Sequence, residues 1–377
     1  MARKKAVRLA VAGVAVAVLA VAALMGPARG EEQQKAAKEP EVKKPAHVPE
    51  VLAMLQNLTV DKPRTHKNMI VFPVRWSGKQ AGGDWATMDE AVAAGSLKIM
   101  EKSQATVPEV MMENTGGKTL LLMSGEIIAG GRQTRVIRKD TVIEPKQRVA
   151  VAVFCVEQRR WAGGRNFKNS ANMAPAAMQD AIKRGAGQNR VWREVRKKSR
   201  ETGVTSRTES LDDVMNEPSV RKEHDAAHKN LGKFSPPDTV GIAVADARTG
   251  HVVGLELFGC RYLFEQLQDK LIEGYNMDIV VGKGDWDAKA AKQVTAKDIE
   301  AYVARALAGT SQYEDTPGSG RGIDLSSGTI KGKGVALGAH AIHLSIQDVR
   351  PATTPAKPIV NDRPEPRPPV RPVPLRR

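Results

Sequence analysis

Two carboxylates, Glu126 and Glu157, stand in the sequence beside a thiol, Cys155, and a run of guanidinium and amide groups. Gly125-Glu126 follows an apolar run, Gly130-Gly131-Arg132-Gln133-Thr134-Arg135 comes shortly after, and Cys155-Val156-Glu157-Gln158-Arg159-Arg160-Trp161 ends a second apolar run. Paired carboxylates at suitable spacing cleave glycosidic bonds, one donating a proton while the other activates water or attacks. In such a site Glu126 or Glu157 is the acid or base, and Arg135 and Arg160 clamp a phosphate or carboxylate. Gln133 and Gln158 add amide hydrogen bonds, and Trp161 stacks on a planar or sugar face. Cys155 serves as a nucleophile only if its pKa is lowered, and no His lies near it in sequence to lower it. The competing reading is a sheet rim in which these groups satisfy one another.

Other groupings carry less chemistry. Gly117-Lys118-Thr119 matches the end of a phosphate-binding loop, but Met112 stands where the first glycine is required, so the segment is a turn. His224-Asp225-Ala226-Ala227-His228 sets two imidazoles one helical turn apart, yet Asp replaces the general-base Glu, and a solvated helix face is the preferred reading. His340 and His343 are expected on opposite faces of a strand and cannot share an ion. No metal or cofactor is expected from these patterns.

The elements that must position the candidates alternate between apolar runs and breaks. Strands are expected over 69–74, 97–102, 108–113, 119–123, 135–137 and 149–156, bounded by Gly, Asn or Pro. From about 171 to 229 the chain is charged and reads as helical, with Val191, Trp192 and Val195 at helical spacing. A hairpin (240–245 and 252–258) precedes an amphipathic helix over 263–275. A further helix near 296–308 leads to Gly318–Gly322 and a last strand pair ending at 341–346. Strands segregated from helices predict an α+β fold, with a strand-rich first half, central charged helices, and later hairpins with amphipathic helices.

The chain has 377 residues with 58 basic and 42 acidic side chains, 41% apolar residues and two cysteines, within the range of globular proteins. Residues 1–30 read as a signal peptide: Arg3, Lys4, Lys5 and Arg8, then an Ala/Val-rich run, then Ala28 and Gly30 at the cleavage subsites. The alternative is an uncleaved membrane anchor. A charged linker (31–50), a folded body (51–349) and a Pro/Arg-rich disordered tail (350–377) follow. Cleavage would lower the formal charge from +16 to about +11, and much of the remainder lies in the tail. The body is then close to balance and lacks an aromatic stripe, so nucleic acid is an unlikely partner, whereas the tail suits an anionic surface. An exported chain permits a disulfide between Cys155 and Cys260, although Cys260 reads as a buried core residue.

At the candidate residues the sequence resembles the ARG and Rhodanese-Phosphatase-superfamily-associated protein domain family. The resemblance runs through Gly125-Glu126, Gln133-Thr134-Arg135, Cys155-Val156-Glu157-Gln158, Arg160-Trp161, Gln188 with Val191-Trp192, Ser206, Thr208, the 240–258 hairpin, Lys270-Leu271 and Tyr275, over about 69–281. It adds Gln188 and Trp192 to the ligand-binding candidates. The family's association with ADP-ribosylglycohydrolases and phosphatase-like proteins implies ADP-ribose-like or phosphorylated nucleotide ligands. The chain departs from the family pattern with Thr134 where Asn is usual and Arg159 where Gly is usual.

Two functions fit. The first is an exported domain that binds a small anionic nucleotide-sugar or phosphorylated ligand. The second, ranked just behind it, is a hydrolase of ADP-ribose-like or phosphorylated nucleotide derivatives. A structural module of the cell envelope is a third reading.

Overall fold

Runs that are apolar at every position, rather than at alternate ones, make strands buried on both faces. Met69–Trp76, Thr239–Asp246 and His251–Phe258 are of this kind, and in the computed structural model they lie side by side in the centre of a large sheet. Residues 47–101, 108–160 and 167–349 are described.

The chain begins with α1 (Pro49–Leu55), β1 (Leu58–Val60), β2 (Arg64–His66), β3 (Met69–Trp76), β4 (Trp85–Thr87), α2 (Met88–Ala93), β5 (Leu97–Glu101), β6 (Glu109–Asn114) and β7 (Thr119–Leu122). Next come β8 (Glu126–Gly130), β9 (Arg135–Ile137), β10 (Thr141–Ile143), β11 (Arg148–Cys155) and β12 (Phe167–Met173). Four helices follow: α3 (Ala176–Lys183), α4 (Gln188–Thr202), α5 (Leu211–Asn216) and α6 (Pro218–Leu231). The last part holds β13 (Thr239–Asp246), β14 (His251–Phe258), α7 (Arg261–Ile279), α8 (Ala296–Leu307), β15 (Thr310–Glu314), β16 (Arg321–Ser327), β17 (Ile330–Leu337) and β18 (His340–Asp348).

The large sheet is antiparallel, in the order β1-β3-β13-β14-β18-β17-β16-β15, with β2 also paired to β3. A six-stranded sheet runs β12-β8-β9-β11-β6-β5, and a small one runs β10-β7-β4. The fold is α+β, as the segregated pattern predicted.

Both faces of the large sheet are covered. Ile70, Phe72, Leu255, Leu257 and Leu344 pack beneath α1 and α8, through Met54, Leu55, Ile299 and Tyr302. The alternate residues Met69, Val71, Ile242 and Val244 pack against Leu263, Phe264, Leu267 and Leu271 of α7. Burying one such side chain contributes about 1.5–3 kcal/mol, so α7 is fixed on the sheet and its polar residues are carried to fixed places.

Two expectations change. The charged central stretch does not open as helix: Ala171 to Met173 belong to β12, which pairs with β8, and helix begins only after Pro175. The last part is a four-stranded meander, because Thr310–Glu314 pairs with Arg321–Ser327, which pairs in turn with β17. The segments read as a signal peptide and as a disordered tail lie outside the described residues, as does Trp161. No described helix is long and apolar enough to cross a membrane.

Candidate functional site

Antiparallel pairing sets Arg135 of β9 directly opposite Cys155 of β11, so their side chains meet on one face. The Arg135 guanidinium donates to Cys155 Sγ at 2.7 Å and to Gln133 Oε1 at 2.8 Å. Gln188, the first residue of α4, takes the backbone of Cys155 in both directions: its Nε2 donates to the Cys155 carbonyl at 2.7 Å, and its Oε1 accepts from the Cys155 amide at 2.8 Å. Burial pushes the Cys155 thiol up to about 11 despite the neighbouring Arg135, which leaves it a poor nucleophile.

Beyond the paired residues the two strands diverge around Glu157. Its Oε1 accepts from Arg160 Nε at 2.7 Å. Its Oε2 accepts from Arg160 Nη2 at 2.7 Å, from the Thr134 amide at 2.9 Å and from Thr134 Oγ1 at 3.0 Å. Gln133 Nε2 donates to the Glu157 carbonyl at 2.7 Å, and Arg160 reaches the carbonyls of Gly131 and Gly130 at 2.9 and 3.1 Å. Burial opposes ionisation of Glu157, yet the bonds from Arg160, Thr134 and Thr208 prevail and hold its carboxyl below the usual range. Glu157 therefore stays ionised and fully hydrogen-bonded, which suits a fixed anchor better than a proton donor.

Gln133, Arg135, Cys155, Glu157, Arg160 and Gln188 thus form one network. Glu126 does not join it. Its carboxylate accepts from Lys270 of α7 at 2.9 Å and from the Met123 amide at 2.8 Å, and Lys270 also binds Asp89 of α2. Burial pushes the Glu126 carboxyl up against the pull of Lys270.

An open space lies on the other side of the Glu157 segment. Residues 157–159 pair with the turn before α5: Glu157 bridges Ser210, and the Arg159 amide donates to the Thr208 carbonyl at 3.0 Å. Between that turn and α4 is a cavity of about 360 Å³, lined by Arg159, Arg196, Arg200, Ser199, Ser206 and Glu209, with Val195 and Val214 as apolar wall. Arg196 and Arg200 stand one turn apart on α4 and so share a face. Arg159 pairs with Glu209 at 2.8 Å, and Arg196 donates to Gln158 Oε1 at 2.7 Å. The Arg200 guanidinium has neither hydrogen bond nor ion pair among the described residues. Ser206 donates its proton to Asp213 at 2.7 Å and Ser199 donates to the Val204 carbonyl, so anion recognition falls to the guanidiniums.

Two further details mark this region. Glu209 has φ of 53°, a left-handed backbone uncommon outside glycine, in a turn closed by a bond from its amide to the Ser206 carbonyl at 3.2 Å. Trp192 lies one turn before Arg196, and its buried indole N–H has no hydrogen-bond partner among the described residues.

Arg159, Arg196, Arg200 and Glu209 were not among the sequence candidates. The signal that could have found them is the basic spacing on α4 together with the polar turn 205–210, which brings no apolar periodicity of its own. The paired histidines 224 and 228 take different partners, Asn276 at 3.0 Å and Glu273 at 3.2 Å.

A family model matches residues 57–347, that of the ARG and Rhodanese-Phosphatase-superfamily-associated Protein domain, and the chain belongs to this family. No curated protein and no solved structure matches it.

Proposed function

We propose that this member of the family binds an anionic nucleotide-sugar or phosphorylated ligand in the arginine-lined cavity, with the Glu157 network as the frame that holds its wall. The observation carrying this reading is the convergence of Arg159, Arg196 and Arg200 on one cavity that holds a single carboxylate, Glu209. Guanidinium forks suit phosphate oxygens, and a volume of about 360 Å³ is ample for a diphosphate with part of its nucleoside. The left-handed Glu209 in the cavity wall supports a ligand on this side of α4. Binding is favoured over hydrolysis because Glu157 is held ionised by four donors and the Cys155 thiol is pushed up, so neither is poised for proton transfer or attack.

Titration calorimetry with ADP-ribose tests the reading. The wild type should bind one equivalent with an affinity that falls as salt is raised, and R196A/R200A should bind at least tenfold more weakly with an unchanged melting temperature. Equal affinity in the double variant would place the ligand elsewhere. We also propose that the chain is exported after cleavage at Gly30, on the strength of its basic start, apolar run and small residues at 28 and 30. Mass spectrometry of the native protein should then find Glu31 as the first residue, and an intact N-terminus in a detergent-requiring fraction would favour the anchor.

A further inference from the structure

We propose that a second cavity, where the three sheets meet α3, is a separate ligand site that takes a phosphate-sized oxyanion. It measures about 170 Å³ and is lined by Ser124, Arg138, Lys139, Lys183, Lys333 and Glu314, with Asp140 at its floor. Four cationic side chains therefore surround two carboxylates, and the volume suits an inorganic oxyanion rather than a nucleotide.

The cations differ in how far they are already neutralised. Lys333 pairs with Glu314 at 2.8 Å and Asp324 at 3.2 Å, and Lys139 pairs with Glu314 at 3.7 Å and donates to the Asp315 carbonyl at 2.7 Å. Lys183 and Arg138 have no carboxylate within ion-pair distance among the described residues. The ammonium of Lys183 donates to the Ser345 hydroxyl at 2.5 Å, and the Arg138 guanidinium lies over the Phe154 ring at 4.3 Å. Two cations held by neutral partners beside an enclosed space are what a bound dianion would complete.

Behind them is a buried chain that fixes Lys183 in place. Ser345 of β18 stands opposite both Glu256 of β14 and Lys333 of β17, and its hydroxyl donates to Glu256 Oε1 at 2.7 Å. Glu256 also accepts from Tyr275 of α7 at 2.7 Å, and its other oxygen meets His343 Nε2 at 3.2 Å. His343 Nδ1 in turn meets Asp140 Oδ2 at 2.6 Å, and Asp140 Oδ1 accepts from the Ser124 amide at 2.8 Å. Gly254 makes this possible, because a Cβ there would lie 2.2 Å from the Tyr275 oxygen. With His343 protonated, its charge and that of Lys183 offset those of Asp140 and Glu256, so these two carboxylates do not repel an incoming anion. The end of α3 does not oppose it either: Gly185 and Ala186 donate to the carbonyls of Ile182 and Ala181, so these terminal carbonyls are already occupied.

Calorimetric titration of the full chain with inorganic phosphate, at fixed ionic strength balanced with chloride, tests the site. It is run in the R196A/R200A background, so that the arginine-lined cavity contributes no anion binding. One phosphate per chain should bind, and R138Q or K183Q should weaken it about tenfold to a hundredfold, the loss of one charge-assisted hydrogen bond. E314Q should tighten it severalfold by removing the carboxylate that Lys333 and Lys139 share. R138Q keeps the test sound if K183Q fails to fold, since Arg138 takes no part in the buried chain. Absence of phosphate binding in that background, or an affinity unchanged by R138Q and E314Q, would overturn the proposal.

Discussion

The Glu157 network and the Asp140–His343–Glu256 chain are both buried and both hydrogen-bonded, but they are assembled from opposite ends of the range of sequence separation. Glu157 and Arg160 are three residues apart, and most of their other partners come from the strand segment at Gly130 to Thr134, with Thr208 added from the turn before α5. Asp140, Glu256 and His343 come from three distant segments that meet only when the large sheet closes against the smaller ones. The first frames a cavity rich in guanidinium, and the second frames one rich in ammonium. The first network is drawn mostly from adjacent strand segments of one sheet, whereas the second depends on packing between sheets. Its loss should therefore cost the whole fold, while the first should be separable from ligand binding.

The largest effect is expected at Glu256. Glu256→Ala removes the acceptor of Tyr275 and Ser345 and leaves His343 with one carboxylate, so it should cost about 3–5 kcal/mol, at the upper end of that range. Thermal unfolding should show a fall of about 10 °C or more. Glu157→Ala removes the carboxylate partner of Arg160 and the acceptor of the Thr134 amide, and should also cost about 3–5 kcal/mol, towards the lower end because Arg160 is partly solvated and keeps its bonds to the Gly130 and Gly131 carbonyls. If Glu157→Ala proved neutral in stability, that network would be a solvent-facing site and not a frame.

The pH dependence sets the two regions apart on the alkaline side, since the carboxyls of Asp140, Glu256 and Glu157 are all held below the usual range and only the second region contains a raised histidine. Burial disfavours charge on His343, but Asp140 and Glu256 prevail and raise it to about 9 from an ordinary value of 6.5. A raised value contributes stability that is fully present below pH 6.5 and is lost as pH rises through about 9, and the shift corresponds to about 3 kcal/mol. Chemical denaturation between pH 6 and pH 10 should show this decline in the wild type. The decline should be much reduced in His343→Gln. Glu157, held below the usual carboxylate range, contributes stability that is instead lost as pH falls into the acid range.

The same contrast explains what the sequence could tell. The six apolar runs of the first half and the hairpin of β13 and β14 are strands close to the expected bounds, because β3, β13 and β14 are buried along nearly their whole length while β5, β6 and β11 alternate buried with partly exposed positions, and both patterns read as strand. The pairing of Arg135 with Cys155 and of Glu157 with Arg160 was legible as clustering at strand ends, although whether they bind a ligand or one another was not. β12 was hidden because Phe167–Met173 carries Lys168, Asn169, Ser170 and Asn172, and its strand state comes from pairing with β8 rather than from propensity. His343 looked like one of two unrelated strand histidines. Its partners Asp140 and Glu256 are 203 and 87 residues away, and no spacing rule connects them. The arginine cavity was missed for a simpler reason: Arg196 and Arg200 sit on a highly charged helix where basic residues ordinarily face solvent.

The smallest expected effect on stability carries the central claim, that the arginine-lined cavity binds the ligand and the Glu157 network only frames it. Arg200→Ala removes an exposed guanidinium with no partner among the described residues, so its melting temperature should match the wild type, within about 0.5 kcal/mol. The direct measurement is the melting temperature of wild type and Arg200→Ala with and without ADP-ribose. The account predicts a ligand-dependent rise in the wild type that is largely lost in Arg200→Ala, although both proteins melt alike without ligand. An equal rise in the two proteins, or no rise in the wild type, would contradict it.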